Sequence, residues 1–498
     1  MSGDKIKAIL REGRNCWRIA RAGRARVIVD AADYYHCIRG AMEKAESRIF
    51  IVGWDFDTRI ALEPDEQGKG ETLGRFFLRL ARANPRRQIA ILKWNFGALK
   101  QLLHPSAIVW LTRWKLTKAI DYRFDSAHPV GCSHHQKIVV IDDDLAACGG
   151  IDISNHRWDT SEHRDGDPHR TAPDGKKYQP WHDATMLMQG PVARDLSELG
   201  RERWKNATKQ ALPEIEPGDC EWPEGLEAAF HDVDIGISRT RAAYRGEEEV
   251  DEIEALNLDI IAAARRFIYF ENQYFTSAKI AAAIAKRMAE PDGPEIVLVM
   301  PRTAEGWLER QAMDAARLKL IQAIGKNDKG NRFRVYVPVT EGGDDIYVHA
   351  KVTIVDDRFL RVGSSNLNNR SQHLDSECDV SLDCALPANR QAGAAITDLR
   401  YRLLSEHLGC TPDAFRKAEQ KAGSMVDAIE ALRGSGRTLD LLEVEEVTAA
   451  QEFIADNELL DPESADAMLD PIAQRGLAKS WAKGLALFRR RGPNPASG

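Results

Sequence analysis

The feature that most limits the fold of this 498-residue chain is an internal repeat, in which three kinds of segment recur in the same order. An amphipathic helical stretch leads into an apolar run at 49–52, and the same succession returns at 267–270. A second apolar run follows at 88–93 and again at 295–300, each behind a helical pattern. Short apolar runs that alternate with a 3.6-residue period are typical of buried strands between helices. Each half is therefore predicted to be an α/β unit.

The third repeated segment is polar and reads His, one residue, Lys, four residues, Asp. Its two copies consist of His135, Lys137 and Asp142 in the first half and His349, Lys351 and Asp356 in the second. Alternate residues of a strand face the same side, so the imidazole and the ammonium of each copy are expected to converge on one site. A Gly-Gly or Gly-Ser pair follows each copy and lets backbone N–H groups approach an anion closely. These six motif residues are the predicted catalytic set.

The repeats predict an α/β fold of two duplicated sandwich halves, each a mostly buried mixed sheet flanked by helices. The active site is expected at the pseudo-twofold interface between the halves. The predicted divisions are an N-terminal extension, the two halves and a helical C-terminal tail, at residues 1–30, 31–215, 225–408 and 409–498. A Pro-rich connector between the halves is expected at 212–224, and a surface insertion near the first motif at 160–180.

Composition indicates an ordinary globular protein, with 43% apolar and 29% charged residues. The net charge of −7 offers nucleic acid no global basic field and so argues against a nuclease. No run approaches the ~18 apolar residues of a membrane-spanning helix, and the start lacks the apolar run of a secretory signal. The eight cysteines form no C-x-x-C pair and are expected to be reduced thiols. A cytoplasmic or peripheral membrane location is expected, with export that needs no cleavable signal as the alternative.

Beyond the motifs, the sequence resembles the phospholipase D superfamily over roughly residues 25–405. Segments 51–56 and 270–275 are similar to the strand ends that lead into that family's active site. The resemblance to its phospholipase branch rests on further segments, at 149–152, 157–159, 180–183, 363–371 and 375–377. It implies a phosphodiesterase that uses no metal and no other cofactor, and calcium dependence is not expected.

The resemblance also implies the chemistry, which passes through a phosphohistidine intermediate. His135 is expected to attack phosphorus, and His349 is expected to serve as acid and base. The near-symmetry of the two motifs leaves their order open from sequence alone. Lys137 and Lys351 are expected to bind the phosphoryl oxygens.

A nucleophilic imidazole needs an acceptor at its second nitrogen, which fixes the tautomer. By resemblance, Asp183 would orient His135 in this way and Glu377 would orient His349. Either acid could instead be a solvated or fold-stabilising carboxylate.

Other site residues follow from the resemblance and from the repeat. Ser364 and Asn366 are expected to donate further hydrogen bonds to the phosphate. Asp152 stands where the second copy has Asn366 and is expected to be structural rather than a phosphate ligand. Asp142 and Asp356 lie at predicted strand ends and are expected to be structural supports between the halves.

Four aromatic residues lie beside the site segments, and these are Trp54, Trp158, Trp181 and Tyr274. They are expected to form a substrate wall that would suit a choline head group. Ordinary aromatic packing at the sandwich interface is the alternative for each of them.

The predicted function is that of a phospholipase D, which hydrolyses the distal phosphodiester of phosphatidylcholine-type lipids to phosphatidic acid and a free head group. Transfer to an added alcohol would be a side reaction of the same intermediate. A cardiolipin-synthase-like phosphatidyltransferase is the alternative enzyme, and a nuclease ranks below it. A pseudoenzyme would require a broken motif, and both motifs are intact. The expected partner is a phospholipid membrane surface rather than nucleic acid, and a monomer is expected because both motifs lie in one chain.

The last part of the chain has no match in the repeat. It ends in a predicted amphipathic helix with an apolar face and neighbouring basic residues; the apolar face comprises Leu477, Trp481, Leu485 and Phe488. Such a helix could dock on anionic lipid, or it could pack as a tail on the catalytic body.

Overall fold

The computed structural model describes residues 7–95, 105–304, 307–442 and 461. The strands are β1 (Arg18–Val29), β2 (Arg48–Gly53), β3 (Gln88–Trp94), β4 (Ile120–Asp125), β5 (Ile138–Ile141), β6 (Leu145–Gly149), β7 (Trp181–His182), β8 (Ala184–Gln189), β9 (Phe230–Arg241), β10 (Val250–Asp251), β11 (Phe267–Glu271), β12 (Glu295–Val299), β13 (Phe333–Val339), β14 (Tyr347–Val348), β15 (Val352–Val355), β16 (Phe359–Gly363), β17 (Glu377–Asp383) and β18 (Thr438–Leu441). The α-helices are α1 (Ala31–Lys44), α2 (Leu73–Ala83), α3 (Pro105–Lys115), α4 (Pro191–Thr208), α5 (Glu252–Ala263), α6 (Ala278–Met288), α7 (Trp307–Gly325), α8 (Gly393–His407), α9 (Pro412–Ala422) and α10 (Met425–Leu432).

A single 16-stranded sheet runs through both halves. In the first half its order is β4-β3-β2-β5-β6-β8-β1, and in the second half β13-β12-β11-β15-β16-β17-β9, so the second order repeats the first. Strands β2, β3 and β4 are parallel to one another, as are β11, β12 and β13, whereas the remaining neighbours are antiparallel. The mixed α/β architecture with duplicated halves is therefore confirmed.

Strands β1 and β9 join the two halves. They are antiparallel over most of their length, with Arg18 opposite Ile237 and Ala25 opposite Phe230. The apolar residues of this seam belong to one core cluster that also contains side chains from both motif strands, including Val140 and Val352. The halves thus share a core at their interface, and each has a second core cluster farther out.

Helices cover the sheet. Each repeat alternates apolar runs, which form buried strands, with segments of 3.6-residue period, which form helices with one apolar face. All six residues of β2 are buried, as expected of a strand covered on both faces. Helix α2 buries a stripe that includes Phe76 and Phe77, and α4 places Trp204 edge-on against Phe50 of β2. The predicted strands at 49–52, 88–93, 267–270 and 295–300 are all present, as β2, β3, β11 and β12.

Several segments lie outside the repeat. Residues 160–180 contain no helix and only an isolated bridge between Thr171 and Lys177, and 212–224 runs without helix or strand between α4 and β9. After residue 408 the chain forms α9, α10 and β18, and β18 extends the sheet by pairing with β13. The amphipathic helix predicted around Trp481 lies outside the described residues. No helix among the described residues is long and apolar enough to cross a membrane.

Candidate active site

The two polar motifs meet at the interface between the halves. Contrary to the prediction, the His and Lys of each motif precede their strands, because β5 begins at Ile138 and β15 begins at Val352. The physical reason is that the backbone N–H of each histidine bonds to the opposite half, whereas the carbonyls of the two lysines accept from Gly149 and Gly363 of their own halves. The N–H of His135 donates to the carbonyl of Ser376 at 2.8 Å, and the N–H of His349 donates to that of His182 at 2.8 Å.

Each imidazole is held by a carboxyl group from the other half. Nδ1 of His135 lies 3.0 Å from Oε1 of Glu377, and Nδ1 of His349 lies 2.7 Å from Oδ2 of Asp183. Both predicted acids therefore contact the histidines, but the expected pairing was wrong and the partners are exchanged.

The crossing follows from local strand pairing. His134 forms a parallel bridge with Ser376, which brings Glu377 beside His135. Strand β14 pairs in parallel with β7 and ends just before His349, which places Asp183 at the end of β7 beside that histidine. Because these pairings join segments that are distant in sequence, the internal repeat alone does not reveal them.

Burial shapes the protonation of both pairs. It lowers the pKa values of His135 and His349 well below the ordinary value, and the nearby ammonium groups of Lys137 and Lys351 lower them further. Burial also raises the pKa of Asp183 to about 6. It likewise raises the pKa of Glu377 to about 8. The free site thus favours neutral imidazoles near pH 7.

Both lysines lie close enough to both histidines to lower the pKa values of the imidazoles, as expected, although neither lysine is in a strand. Nζ of Lys137 donates to the carbonyl of His135 at 2.7 Å, and Nζ of Lys351 donates to the carbonyl of His349. Lys351 also donates to Oε1 of Gln273 at 3.3 Å. Burial lowers the pKa of Lys351 to about 7. Gln273 lies in a segment that the sequence places beside the site, but its contact with Lys351 is not predicted.

The copies differ at Asp152 and Asn366. The Asp152 carboxylate accepts from the N–H groups of Trp54 and Asp55 at 3.1 and 3.2 Å, which gives it a structural role. Its other oxygen lies 3.3 Å from Nζ of Lys137 and forms an ion pair with that lysine. Oδ1 of Asn366 is buried without a hydrogen-bond partner among the described residues.

Two hydroxyl groups hold Glu377. The hydroxyl of Ser364, expected to contact phosphate, donates to Oε2 of this acid. The hydroxyl of Ser371 donates to Oε1 at 2.7 Å. Ser371 was not predicted as a site residue, and its place five residues after Asn366 in the second repeat is the signal that could have found it.

The acidic residues that end the two motifs bond to backbone N–H groups and not to the histidines. The Asp142 carboxylate accepts from the N–H groups of Glu46, Ser47 and Arg48 at 2.6 to 2.8 Å. The Asp356 carboxylate accepts in the same way from three consecutive N–H groups at residues 265–267. Each acid thus fastens a helix–strand loop of its own half. The expectation that they support the contact between the halves was wrong, because each sits at the far end of its motif strand from the histidine.

Two of the four predicted aromatic residues contact the histidines. The Trp54 ring lies edge-on to His135, with centroids 6.0 Å apart. The Trp181 ring lies 5.2 Å from that of His349 and carries the Arg157 guanidinium 4.2 Å above it. Trp158 instead packs against His169, with ring centroids 5.0 Å apart and ring planes tilted by 30°. The backbone N–H of Tyr274 donates to Asn272.

Comparison with known proteins finds one matching family model in each half of the chain. A family model described as phospholipase D matches residues 41–221, and one described as cardiolipin synthase, PLD-like domain, matches residues 258–392. Each match contains one motif and one of the crossing acids.

Curated relatives carry phospholipase D names. The chain is 24% identical to phospholipase D alpha 1 of Carica papaya, in an alignment that covers 76% of this chain and 64% of the relative. It is 26% identical to phospholipase D1 of Saccharomyces cerevisiae over 58% of this chain and 23% of that protein. The chain therefore spans less than two thirds of the length of these relatives.

A solved structure supports the fold. The phosphatidylserine synthase of Haemophilus influenzae superposes with a TM-score of 0.54 at 14% sequence identity, over 78% of this chain and 88% of that one. With two family models matched in tandem and both motifs assembled at one interface, this chain belongs to the phospholipase D superfamily.

Proposed function

We propose that this protein is a phospholipase D-type phosphodiesterase that cleaves the distal phosphodiester of glycerophospholipids. The observation that carries the proposal is the crossed arrangement at the interface. Two imidazoles, each held at Nδ1 by a buried carboxyl group, stand with two lysines in one site. A phosphodiester needs an in-line nucleophile, a proton for the leaving alcohol and positive charge near its oxygens, and these four side chains supply all three.

In the first step, the lone pair on Nε2 of His135 attacks phosphorus while the bond from phosphorus to the head-group oxygen breaks. The bound phosphodiester is an anion beside His349 and favours the imidazolium form of this ring. The imidazolium gives the head-group oxygen a proton, and the head-group alcohol leaves. In the second step, His349 takes a proton from water, the hydroxide attacks phosphorus, and the phosphorus–nitrogen bond breaks. Phosphatidic acid is released and His135 regains its lone pair.

The carboxyl partners support this assignment of roles. A hydrogen bond from Nδ1–H to Glu377 leaves the lone pair of His135 on Nε2, where it can attack. The His135 side chain is 14% exposed and that of His349 is 5% exposed, so His135 is the more accessible nucleophile. Lys137, Lys351 and the amide of Asn366 would bind the non-bridging oxygens.

The head group would lie against a wall that includes Trp54, whose ring borders His135. Trp181 would not contact it, because this residue is 2% exposed and its ring already carries the Arg157 guanidinium. Indole faces attract cations, so a choline-type quaternary ammonium suits this wall. We propose a phospholipid membrane surface as the partner and a peripheral or cytoplasmic place of action, with the chain acting as a monomer.

A phosphatidyltransferase of the cardiolipin-synthase type is the second candidate. It would use the same intermediate with an alcohol in place of water. The family model that matches the second half, described as cardiolipin synthase, favours it.

The test incubates the protein with vesicles of phosphatidylcholine, phosphatidylethanolamine and phosphatidylglycerol plus a little ethanol, with products resolved by mass spectrometry. Wild type is expected to form phosphatidic acid and phosphatidylethanol, and His349→Ala is expected to form neither. His231→Ala, which changes an exposed histidine, is the matched control and should behave as wild type. Cardiolipin as the main product would favour the transferase, and turnover by His349→Ala equal to wild type would refute the mechanism.

A further inference from the structure

A second cluster of histidines and acids lies next to the active site and takes no part in the proposed reaction. It is formed by Asp30 before α1, His163 in the loop after β6, His182 of β7 and Glu406 near the end of α8. One nitrogen or oxygen atom from each lies within 4.8 Å of the others. All four side chains are at most 4% exposed.

The facing atoms are joined by hydrogen bonds and ion pairs, and they are also close enough to surround one ion. Nδ1 of His182 lies 2.9 Å from Oε1 of Glu406 and 3.3 Å from Oδ1 of Asp30. Nε2 of His163 lies 3.3 Å from the same Glu406 oxygen and 3.8 Å from Oδ2 of Asp30. Ligands bound at about 2.0–2.1 Å in a tetrahedron stand roughly 3.3 Å apart, which is the middle of this range.

The outward nitrogens of both histidines are already occupied by carboxylates. Nδ1 of His163 lies 2.9 Å from Oδ2 of Asp159, and Nε2 of His182 lies 3.0 Å from Oε2 of Glu271. A carboxylate behind each imidazole is the arrangement that orients metal-binding histidines and fixes the tautomer in which the inward nitrogen can bind.

Two carboxylate oxygens point to a missing partner. Oδ2 of Asp30 and Oε2 of Glu406 are buried without a hydrogen-bond partner among the described residues. A buried charged oxygen left unpaired is costly, so an occupant that binds both acids would remove the cost.

We propose that Asp30, His163, His182 and Glu406 bind one divalent transition-metal ion, with Zn²⁺ the chemistry that fits best. Two imidazoles and two carboxylates in a tetrahedral arrangement suit zinc, whereas calcium and magnesium prefer oxygen ligands in larger number. A dication replaces two protons, so the charge of the cluster is the same with two imidazolium ions or with one metal and two neutral imidazoles.

The ion would be structural. Three of its ligands come from the first half and Glu406 comes from the second, so it would fasten the halves together beside the active site. His182 is also adjacent to Asp183, which holds His349. The metal would thus fix the peptide that carries this acid without touching the reacting atoms.

The test measures metal content on tag-free full-length protein by inductively coupled plasma mass spectrometry. About one zinc per chain is expected. After removal of metal with a chelator, the melting temperature should fall and should recover with Zn²⁺ but not with Ca²⁺ or Mg²⁺. Apoprotein titrated with Co²⁺ should show the strong visible absorption of tetrahedral cobalt.

Variants locate the ion. His163→Ala and Asp30→Asn should lose the cobalt spectrum, while His135→Ala, His349→Ala and the exposed control His231→Ala should keep it. If the two ligand variants fail to fold, His407→Ala separates the two histidine clusters, because His407 belongs only to the neighbouring cluster with His182 and Glu271 and its loss should leave the spectrum unchanged. No metal in wild type together with no cobalt uptake by apoprotein would overturn the proposal in favour of an ion-pair network. Loss of the spectrum in His135→Ala would overturn it in favour of binding at the active site. Because no readout depends on lipid turnover, the site can be tested apart from the proposed function.

Discussion

Lys351 is fully buried, and burial lowers its pKa from 10.5 to about 7. The charged form therefore dominates below pH 7, and the positive charge is lost as the pH rises through that value. The sign follows from desolvation, which penalises the ammonium ion and leaves the neutral amine unaffected. The charge available to a phosphate at this position is therefore sensitive to pH in the neutral range.

We predict that kcat/KM falls as the pH rises above about 7, because this parameter reports ionisations of the free enzyme. Lys351→Arg keeps its charge throughout this range, so its descending limb should move to higher pH even if its rate is lower. The measurement is a pH profile of vesicle hydrolysis for both proteins. A limb that stays in place in Lys351→Arg would show that another group causes it.

Asp142 and Asp356 lend themselves to a matched pair of substitutions. Removing either carboxylate leaves three backbone N–H groups without their acceptor. We expect Asp142→Ala and Asp356→Ala each to lower the free energy of unfolding by about 2–5 kcal/mol, measured by denaturant titration. Asp121→Ala, which removes only a surface pair with Arg123, should change it by less than about 0.5 kcal/mol. Full stability with a lost kcat would instead make these acids participants in the chemistry.

At the scale of elements, the approach of β6 to the end of β7 sets the position of Asp183. A Cβ atom at Gly150 would lie 2.1 Å from Oδ1 of this acid, so only glycine leaves room. The acid in turn is 2.7 Å from His349. The loop after β6 therefore controls the geometry of an imidazole that belongs to the other half.

We predict that Gly150→Ala lowers kcat by about 10²-fold, because it displaces Asp183 and with it His349. Gly23→Ala in β1 is the matched control, since a Cβ there meets nothing within 4 Å. Steady-state kinetics and a melting curve should be recorded for both. An equal loss of kcat in the two variants, or none in Gly150→Ala, would contradict this account of the loop.

Elements with a strong local signal could be predicted, and those set by distant pairing could not. The apolar runs that became β2 and β11 are continuous and flanked by helical periods, so their type follows from sequence. The start of β5 after Lys137 does not, because it depends on a bond from His135 to Ser376 across the interface. The exchange of Asp183 and Glu377 has the same origin.

At the scale of the whole molecule, the continuous sheet makes the two halves one folding unit. One face of the seam between β1 and β9 is buried, and Ile235 on that face is 0% exposed. The repeat in the sequence predicts two halves and a site between them. It does not predict this seam, since β1 lies in the region taken for an N-terminal extension and its partner is over two hundred residues away.

We predict a single cooperative thermal transition with equal calorimetric and van't Hoff enthalpies. Ile235→Ala should lower the free energy of unfolding by about 2–5 kcal/mol and shift that one transition as a whole. Leu116→Ala, at a side chain that is 82% exposed, should have almost no effect. Two separate transitions, with only one of them moved by Ile235→Ala, would show that the halves fold independently.

Because each histidine is held by an acid from the other half, the order in which the chain is synthesised determines when the site can be completed. A ribosome makes His135 more than two hundred residues before Glu377, the acid that orients it. Asp183 is likewise made well before His349, the histidine that it contacts. A nascent chain that has completed only its first half holds the His135 imidazole without Glu377, and Asp183 without His349. The site can therefore be complete only late in translation, once the second half has been made and has docked on the first.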